Sequence, residues 1–101
     1  MAQKTDGTVK QKRKHQVKKP EMYKVVLHND DYTTMEFVVR VLQTVFHKPL
    51  IEATKIMLDV HKKGRGIVGL YTYDIASTKI SLVRQMAEKE EFPLRCTMEK
   101  A

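Results

Sequence analysis

The spacing of strand and helix patterns along the chain strongly limits its topology. Residues 23–28, 67–73 and 94–99 have strand patterns, with alternating apolar positions or runs of β-branched and aromatic residues. Two helical patterns separate the first two strands and one separates the last two, so the outer strands run parallel. Placing the first strand between them makes both neighbouring pairs antiparallel. We predict an α+β domain of two layers in the order β-α-α-β-α-β, with a three-stranded antiparallel sheet covered by three helices.

The first helix has a well-specified start. The run Asn-Asp-Asp at residues 29–31 stops the first strand, because short Asx side chains compete with the strand ladder for backbone groups. Thr33 followed by Glu36 predicts a capping box, and Tyr32 and Phe37 occupy the two positions of a hydrophobic staple. The apolar positions of this helix are Met35, Val38, Val41, Leu42, Val45 and Phe46. Their spacing of three and four predicts a helix of about 12 residues with one apolar face.

The second and third helices have recognisable ends. Pro49 is a favoured first-turn residue and predicts a helix to about residue 62, which Gly64 and Gly66 end. Its apolar set is Leu50, Ala53, Ile56, Met57, Val60 and His61. Asp74 is a candidate cap for the third helix, whose predicted buried stripe is Ala76, Ile80, Val83 and Ala87.

The charge of the chain is concentrated near its start. The net charge is +7, and residues 1–20 hold seven Lys or Arg residues against the single acid Asp6. We predict a disordered basic extension over 1–20 and one folded domain over 21–101. The basic extension leaves open an alternative function, a basic RNA- or ribosome-associated domain, whose affinity would fall steeply with salt.

The expected compartment is the cytoplasm. The chain of 101 residues has a single cysteine, Cys96, so it cannot form an intramolecular disulfide. Residues 1–20 lack the apolar stretch of a secretory signal, and no segment approaches the length of a membrane span.

Few residues suggest catalysis. Cys96 could act as a thiol nucleophile, but its alternation with Leu94 and Met98 places it on the inner face of a strand and favours a buried structural role. A metal site is an alternative use of His28, Asp30, Asp31 and His61, although their spacing matches no established ligand pattern. The segment Gly64-Arg65-Gly66 matches a helix end and loop better than a phosphate-binding loop. We expect no catalytic residues, no metal and no cofactor.

A binding pocket is the more specific hypothesis. If the first two helices pack side by side, Asn29, Asp30 and His61 offer three hydrogen-bond acceptors, which an ammonium group requires. The neighbouring apolar residues are Met35, Val38, Met57 and Val60. From the pattern alone the simpler interpretations are favoured: a turn at 29–31, core positions for the apolar residues, and a helix-dipole contact for His61.

The sequence resembles the ClpS family, the bacterial N-degron adaptors of the Clp protease. The segments that carry the resemblance are MYKVVL at 22–27, NDDYT at 29–33, MEFV at 35–38, MLDVH at 57–61, DIA at 74–76 with Thr78 and Lys79, and PLRCTMEKA at 93–101. Thr34 stands where the family often has Pro, which we expect to affect the rigidity of the helix start.

This resemblance implies binding of proteins whose first residue is Leu, Phe, Tyr or Trp. Asn29, Asp30 and His61 would bind the free α-amine, with Asp31 in a supporting position. The side-chain pocket would comprise Thr33, Met35, Val38, Met57, Val60 and Leu94. An acetylated amine or a β-branched first residue would bind poorly, and Met35 would act as a gate at the rim.

The resemblance also implies the partner. The folded domain would dock on the N-terminal domain of a ClpA- or ClpC-type AAA+ ATPase, with Asp74 and Lys79 at the docking surface, while the basic extension engages that ATPase during delivery. The chain would be a monomeric, non-enzymatic adaptor that binds neither nucleic acid nor membrane, since proteolysis belongs to the partner.

Overall fold

A computed structural model describes residues 19–101 of the chain. The elements are β1 (Met22–His28), α1 (Met35–Thr44), α2 (Leu50–Lys63), β2 (Arg65–Thr72), α3 (Tyr73–Lys89) and β3 (Arg95–Lys100). The sheet has the order β2-β1-β3, and β1 pairs antiparallel with both neighbours. The predicted α+β architecture and strand order are therefore confirmed.

One hydrophobic core lies between the sheet and the helices. Its largest fully buried members are Phe37, Leu27, Leu42, Val25, Val41 and Val83. On the opposite face of the sheet Ile67 and Leu70 are half exposed. The apolar stripes predicted for α1 and α3 point into the core, except that Met35 is 48% exposed and Ile80 is only partly buried.

The pairing of β1 with β2 is irregular in the middle. Val25 faces Gly69 and Val26 faces Ile67, so Val68 has no partner in the register. Such a bulge bends the strand and changes which side chains reach each face. Val68 is buried in the core as a result.

The start of α1 differs from the prediction. Thr34, not Thr33, is the N-cap, and its hydroxyl accepts a hydrogen bond from the Phe37 amide at 3.1 Å. Thr33 is unavailable because its amide and hydroxyl both donate to Asp30. Tyr32 is 76% exposed, so the predicted staple is wrong as well. The helix is shorter than predicted and ends at Thr44, with Val45 as its C-cap.

The second helix begins one residue later than predicted and ends as predicted. Pro49 is the N-cap and not the first helical residue. Gly64 ends the helix in the left-handed conformation, with φ of 89°, and its amide donates to the Val60 carbonyl at 3.0 Å. Gly66 then lets β2 pass close to α2, because a Cβ there would lie 2.8 Å from the Val60 side chain.

The prediction that Asp74 caps the third helix is wrong. Thr72 is the N-cap and makes no side-chain cap hydrogen bond. Asp74 lies in the first turn, where its charge still suits the positive end of the helix dipole.

Most of the predicted basic extension, residues 1–18, lies outside the described residues. Within residues 19–101, no helix combines the length and the apolar character needed to cross a membrane.

Candidate functional site

A cavity of about 390 Å³ lies where the loop before α1 meets the second half of α2. We call it the loop cavity. Its lining comprises Asn29, Asp30, Asp31, Tyr32, Thr33, Thr34, Met35, Val38, Met57, Val60 and His61. The lining residues between 29 and 38 are neighbours in the sequence, whereas Met57, Val60 and His61 reach the cavity because α2 packs beside α1. The structure thus brings together the acceptors and the apolar residues that the sequence singled out.

The carboxylate of Asp30 organises the loop. Its Oδ1 accepts hydrogen bonds from the Tyr32 amide at 2.8 Å and the Thr33 amide at 2.7 Å, and its Oδ2 accepts from the Thr33 hydroxyl at 2.7 Å. Partial burial alone would raise the pKa of the Asp30 carboxyl, but these hydrogen bonds outweigh it and hold the pKa below its usual value. The loop therefore carries a fixed negative charge at neutral pH.

A backbone hydrogen bond joins the loop to the end of α2. The Asn29 amide donates to the Gly64 carbonyl at 3.0 Å. His61 lies in the last turn of α2, three residues before Gly64, so this bond places the Asn29 and His61 side chains on one cavity. Both side chains are exposed and accessible to a ligand.

The loop cavity also has apolar lining residues. Val38 and Val60 are buried and belong to the core, whereas Met57 is partly buried. Met35 is 48% exposed at the first position of α1. An unbranched, polarizable Met side chain at a rim can adjust its shape to different ligands.

Leu94 does not line the loop cavity. It precedes β3 and alternates with Arg95, so its side chain points to the core side of the sheet, where it lines a smaller cavity with Ile80 and Arg84 of α3. In contrast, Tyr32 and Thr34 line the loop cavity, although the sequence analysis considered them only at the start of the helix. Their place in the loop of residues 29–34, which also holds Asn29 and Asp30, was the sequence feature that could have predicted this.

The structure does not assemble the alternative sites. His28 points to β3 and shares a hydrogen bond of 2.7 Å with the Thr97 hydroxyl. It does not line the loop cavity with Asp30. Among residues 19–101, no group of three or more His, Cys, Asp or Glu side chains is placed to hold a metal ion. Burial raises the pKa of the Cys96 thiol to about 12, which keeps it protonated and a poor nucleophile at neutral pH.

The two residues implied in docking have different environments. Asp74 is exposed in the first turn of α3. Lys79 is partly buried, and its ammonium donates to the Val45 carbonyl at 2.8 Å and lies over the rings of Phe46 and Tyr71. Of the two, Asp74 is the more accessible to a partner.

Comparison with known proteins places the chain in one family. The family model described as ATP-dependent Clp protease adaptor protein ClpS matches residues 18–97. The chain is 61% identical to the ClpS adapter of Acetivibrio thermocellus, over 98% of both chains. It is 63% identical to that of Syntrophus aciditrophicus, over 83% of this chain and 78% of the relative. The structure of Agrobacterium tumefaciens ClpS2 bound to L-phenylalaninamide superimposes with a TM-score of 0.79 at 37% identity, covering 82% of this chain and all of that one. The chain therefore belongs to the ClpS family of Clp protease adaptor proteins.

Proposed function

We propose that the loop cavity binds the first residue of proteins that begin with Leu, Phe, Tyr or Trp, and that the chain delivers these N-degron proteins to a Clp AAA+ ATPase. The observation that carries the proposal is that one cavity is lined by both acceptors and apolar side chains. The acceptors come from the loop and from His61, and the apolar side chains include Met35, Val38 and Met57. A ligand that fits has a cationic amine attached to an apolar side chain.

The hydrogen-bonding capacity of the loop supports an ammonium ligand. A carboxylate offers about four lone-pair sites, and the loop itself fills three of them on Asp30, which leaves one on Oδ2. The Asn29 amide oxygen and a His61 ring nitrogen supply two more acceptors. An ammonium group has three donors, so the count matches.

The known ligand of a relative supports the same assignment. The Agrobacterium tumefaciens ClpS2 structure holds L-phenylalaninamide, which combines a free α-amine with an aromatic side chain. In this chain we assign the amine to Asn29, Asp30 and His61, with Asp31 beside them. The side chain of the first residue would contact Thr33, Met35, Val38, Met57 and Val60, and Leu94 would support this wall from the core.

Selectivity follows from the proposed contacts. Acetylation removes the positive charge and two donors, so acceptors around Asp30 would stay unpaired when buried by the ligand. A β-branched first residue would crowd the rim at Met35. Burying a large apolar side chain contributes about 1.5–3 kcal/mol, which favours Leu and the aromatic residues.

The proposed partner is the N-terminal domain of a ClpA- or ClpC-type ATPase. We place Asp74 at the contact, because its exposed carboxylate lies beside the exposed side chains of Tyr73 and Ile75. Lys79 would act by holding the end of α1 in place. We propose that the chain catalyses no reaction, binds neither membrane nor nucleic acid, and works as a cytoplasmic monomer of two parts, the extension 1–20 and the domain 21–101.

The test is the affinity of a labelled peptide that begins with Leu, measured by fluorescence anisotropy at two salt concentrations. The N-acetylated peptide and a Val-first peptide serve as comparisons. We expect only the free Leu peptide to bind tightly, with little dependence on salt. His61→Ala should weaken it about 10- to 100-fold, because a hydrogen bond to a charged group contributes about 1.5–3 kcal/mol.

Lys62→Ala is the matched control, since Lys62 is exposed on the same helical turn and does not line the loop cavity. It should leave the affinity unchanged. Equal binding of the free and acetylated peptides would contradict the proposal. RNA binding that falls with salt and disappears when residues 1–20 are deleted would favour the alternative of a basic RNA- or ribosome-associated domain.

A further inference from the structure

A second depression, of about 290 Å³, runs between α1 and α2 and continues from the loop cavity. The two share Met35 and Met57 as a common wall. Beyond this wall the lining includes Val39 and Gln43 of α1 and Leu50 and Thr54 of α2. We call it the α1–α2 groove.

The helical period explains why the groove is continuous. Met35, Val39 and Gln43 are four residues apart on α1, and Leu50, Thr54 and Met57 are four and three apart on α2. Residues at these spacings lie on one face of a helix, so each helix contributes one straight wall. Leu50 is 59% exposed, and nothing in the described part of the chain covers it.

The charges at the rim of the groove are balanced. Arg40 lines the groove but is paired with Glu90, the C-cap of α3, through both terminal guanidinium nitrogens. Glu36 precedes Arg40 by one helical turn, where the two charges attract each other. The rim therefore favours neither a cationic nor an anionic occupant, and Met35, Val39, Leu50 and Met57 give the groove an apolar lining.

We propose that the α1–α2 groove binds the third side chain of the substrate and selects an apolar residue there, an inference that rests on the proposed function of the loop cavity. His61 lies one helical turn beyond Met57 on α2, and the Asn29 amide is bonded to Gly64 past the end of that helix, so these two proposed amine ligands lie on the opposite side of Met57 from the groove. A substrate chain that leaves its amine there passes over Met35 and Met57 and enters the groove.

The dimensions of an extended chain single out the third position. The groove extends along α2 from Met57 to Leu50, seven residues or about 10 Å of helix. An extended chain rises about 3.3 Å per residue, and its alternate side chains point the same way. The first and third side chains are thus on the same face and about 7 Å apart, which places the third opposite Val39 and Thr54. The second side chain points away from the protein.

The experiment compares three labelled peptides that begin Leu-Gly-Gly, Leu-Gly-Leu and Leu-Leu-Gly and are otherwise identical. Fluorescence anisotropy with the full chain should show about fivefold tighter binding of Leu-Gly-Leu than of Leu-Gly-Gly, as expected for partial burial of one Leu side chain. Leu-Leu-Gly should match Leu-Gly-Gly.

Leu50→Ser should remove the advantage of Leu-Gly-Leu and leave the affinity for Leu-Gly-Gly unchanged. Ile51→Ser is the matched control, because Ile51 is the next residue, is 78% exposed and does not line the groove. It should preserve the advantage.

Different results would contradict the groove proposal and the proposed function of the loop cavity. If Leu-Gly-Gly binds but a third Leu adds nothing, or a second Leu adds as much, the groove proposal is overturned while the loop cavity stands. If none of the three peptides binds, the proposed function fails and the groove proposal with it.

Discussion

Gly66 controls how closely β2 approaches α2, and Gly66→Ala should loosen that contact. A Cβ at this position would lie 2.8 Å from Cγ2 of Val60 and 3.1 Å from the carbonyl oxygen of Ile56. The Val60 methyl can rotate away only into a packed core, and the Ile56 oxygen belongs to the helix backbone. Overpacking of this kind costs about 1–3 kcal/mol. The lower backbone entropy of Ala in the unfolded chain offsets about 0.4–1 kcal/mol of that cost.

With about 2 kcal/mol as the middle of the packing cost and about 0.7 kcal/mol as the middle of the offset, we expect the free energy of unfolding to fall by about 1.3 kcal/mol. The measurement is urea unfolding followed by circular dichroism, with an unchanged slope and a lower midpoint. Because α2 carries His61, the affinity for a Leu-first peptide should fall as well. Thermal unfolding provides a second measurement, since each kcal/mol lowers the Tm of a domain of this size by roughly 4–8 °C.

Gly69→Ala is the matched control on the same strand. Its added Cβ would meet only the outer ring atoms of Tyr71, the nearest being the hydroxyl at 3.2 Å, and a side-chain tip moves at small cost. We expect a smaller loss of stability than for Gly66→Ala. A Gly66→Ala midpoint at or above that of the original chain, or an equal loss in both variants, would refute this reasoning.

Two further predictions concern residues outside the loop cavity. Lys79→Met should lower the free energy of unfolding by about 1–2 kcal/mol in urea titrations, because it removes the charged donor to the Val45 carbonyl at the end of α1; an unchanged midpoint would contradict this. Partial burial and the nearby charge of Arg95 lower the pKa of His28, so the unfolded chain binds its proton more readily than the folded chain. The contribution of His28 to the free energy of unfolding is therefore complete above its usual pKa of 6.5, where the side chain is neutral in both states. This contribution is lost as the pH falls from 6.5 towards the lower pKa of the folded state. His28→Gln should reduce the difference in unfolding free energy between about pH 7.5 and about pH 5, and an unaltered difference would contradict the assignment.

The topology was predictable because it depends on the number and order of helices and strands, which do not change when the predicted end of an element is wrong by a few residues. Two helices between the first strands and one between the last determine strand directions whatever the exact ends of each helix. The position of the α1 cap was not predictable in the same way, because Thr33 and Thr34 both offer a hydroxyl. The choice depends on Asp30, which binds Thr33 in the folded loop and leaves Thr34 for the helix.

Long-range contacts account for what the sequence did not predict. Lys79 has the sequence context of a surface lysine, and only the folded chain brings it to the Val45 carbonyl, 34 residues away. The bulge opposite Val25 and Val26 depends on strand pairing, which no local pattern specifies. For the loop cavity, the residue types were identifiable, but their convergence depends on the packing of α1 beside α2 and on the hydrogen bond from Asn29 to Gly64.

The loop cavity and the core share some residues, so only some substitutions can separate an effect on binding from an effect on stability. Val38 and Val60 are buried in the core and also line the cavity. Truncating either one removes core packing, which lowers stability, at the same time as it removes a proposed ligand contact. Asn29 and His61 are exposed, so a change in either side chain should alter only the proposed ligand contacts and leave the core intact. Asp30 lies between these cases, because its hydrogen bonds to Thr33 hold the loop that presents Asn29. Under the proposed function, loss of binding in Asp30→Ala would therefore report both the proposed ammonium contact and the order of the loop, whereas loss of binding in His61→Ala would report the proposed contact alone.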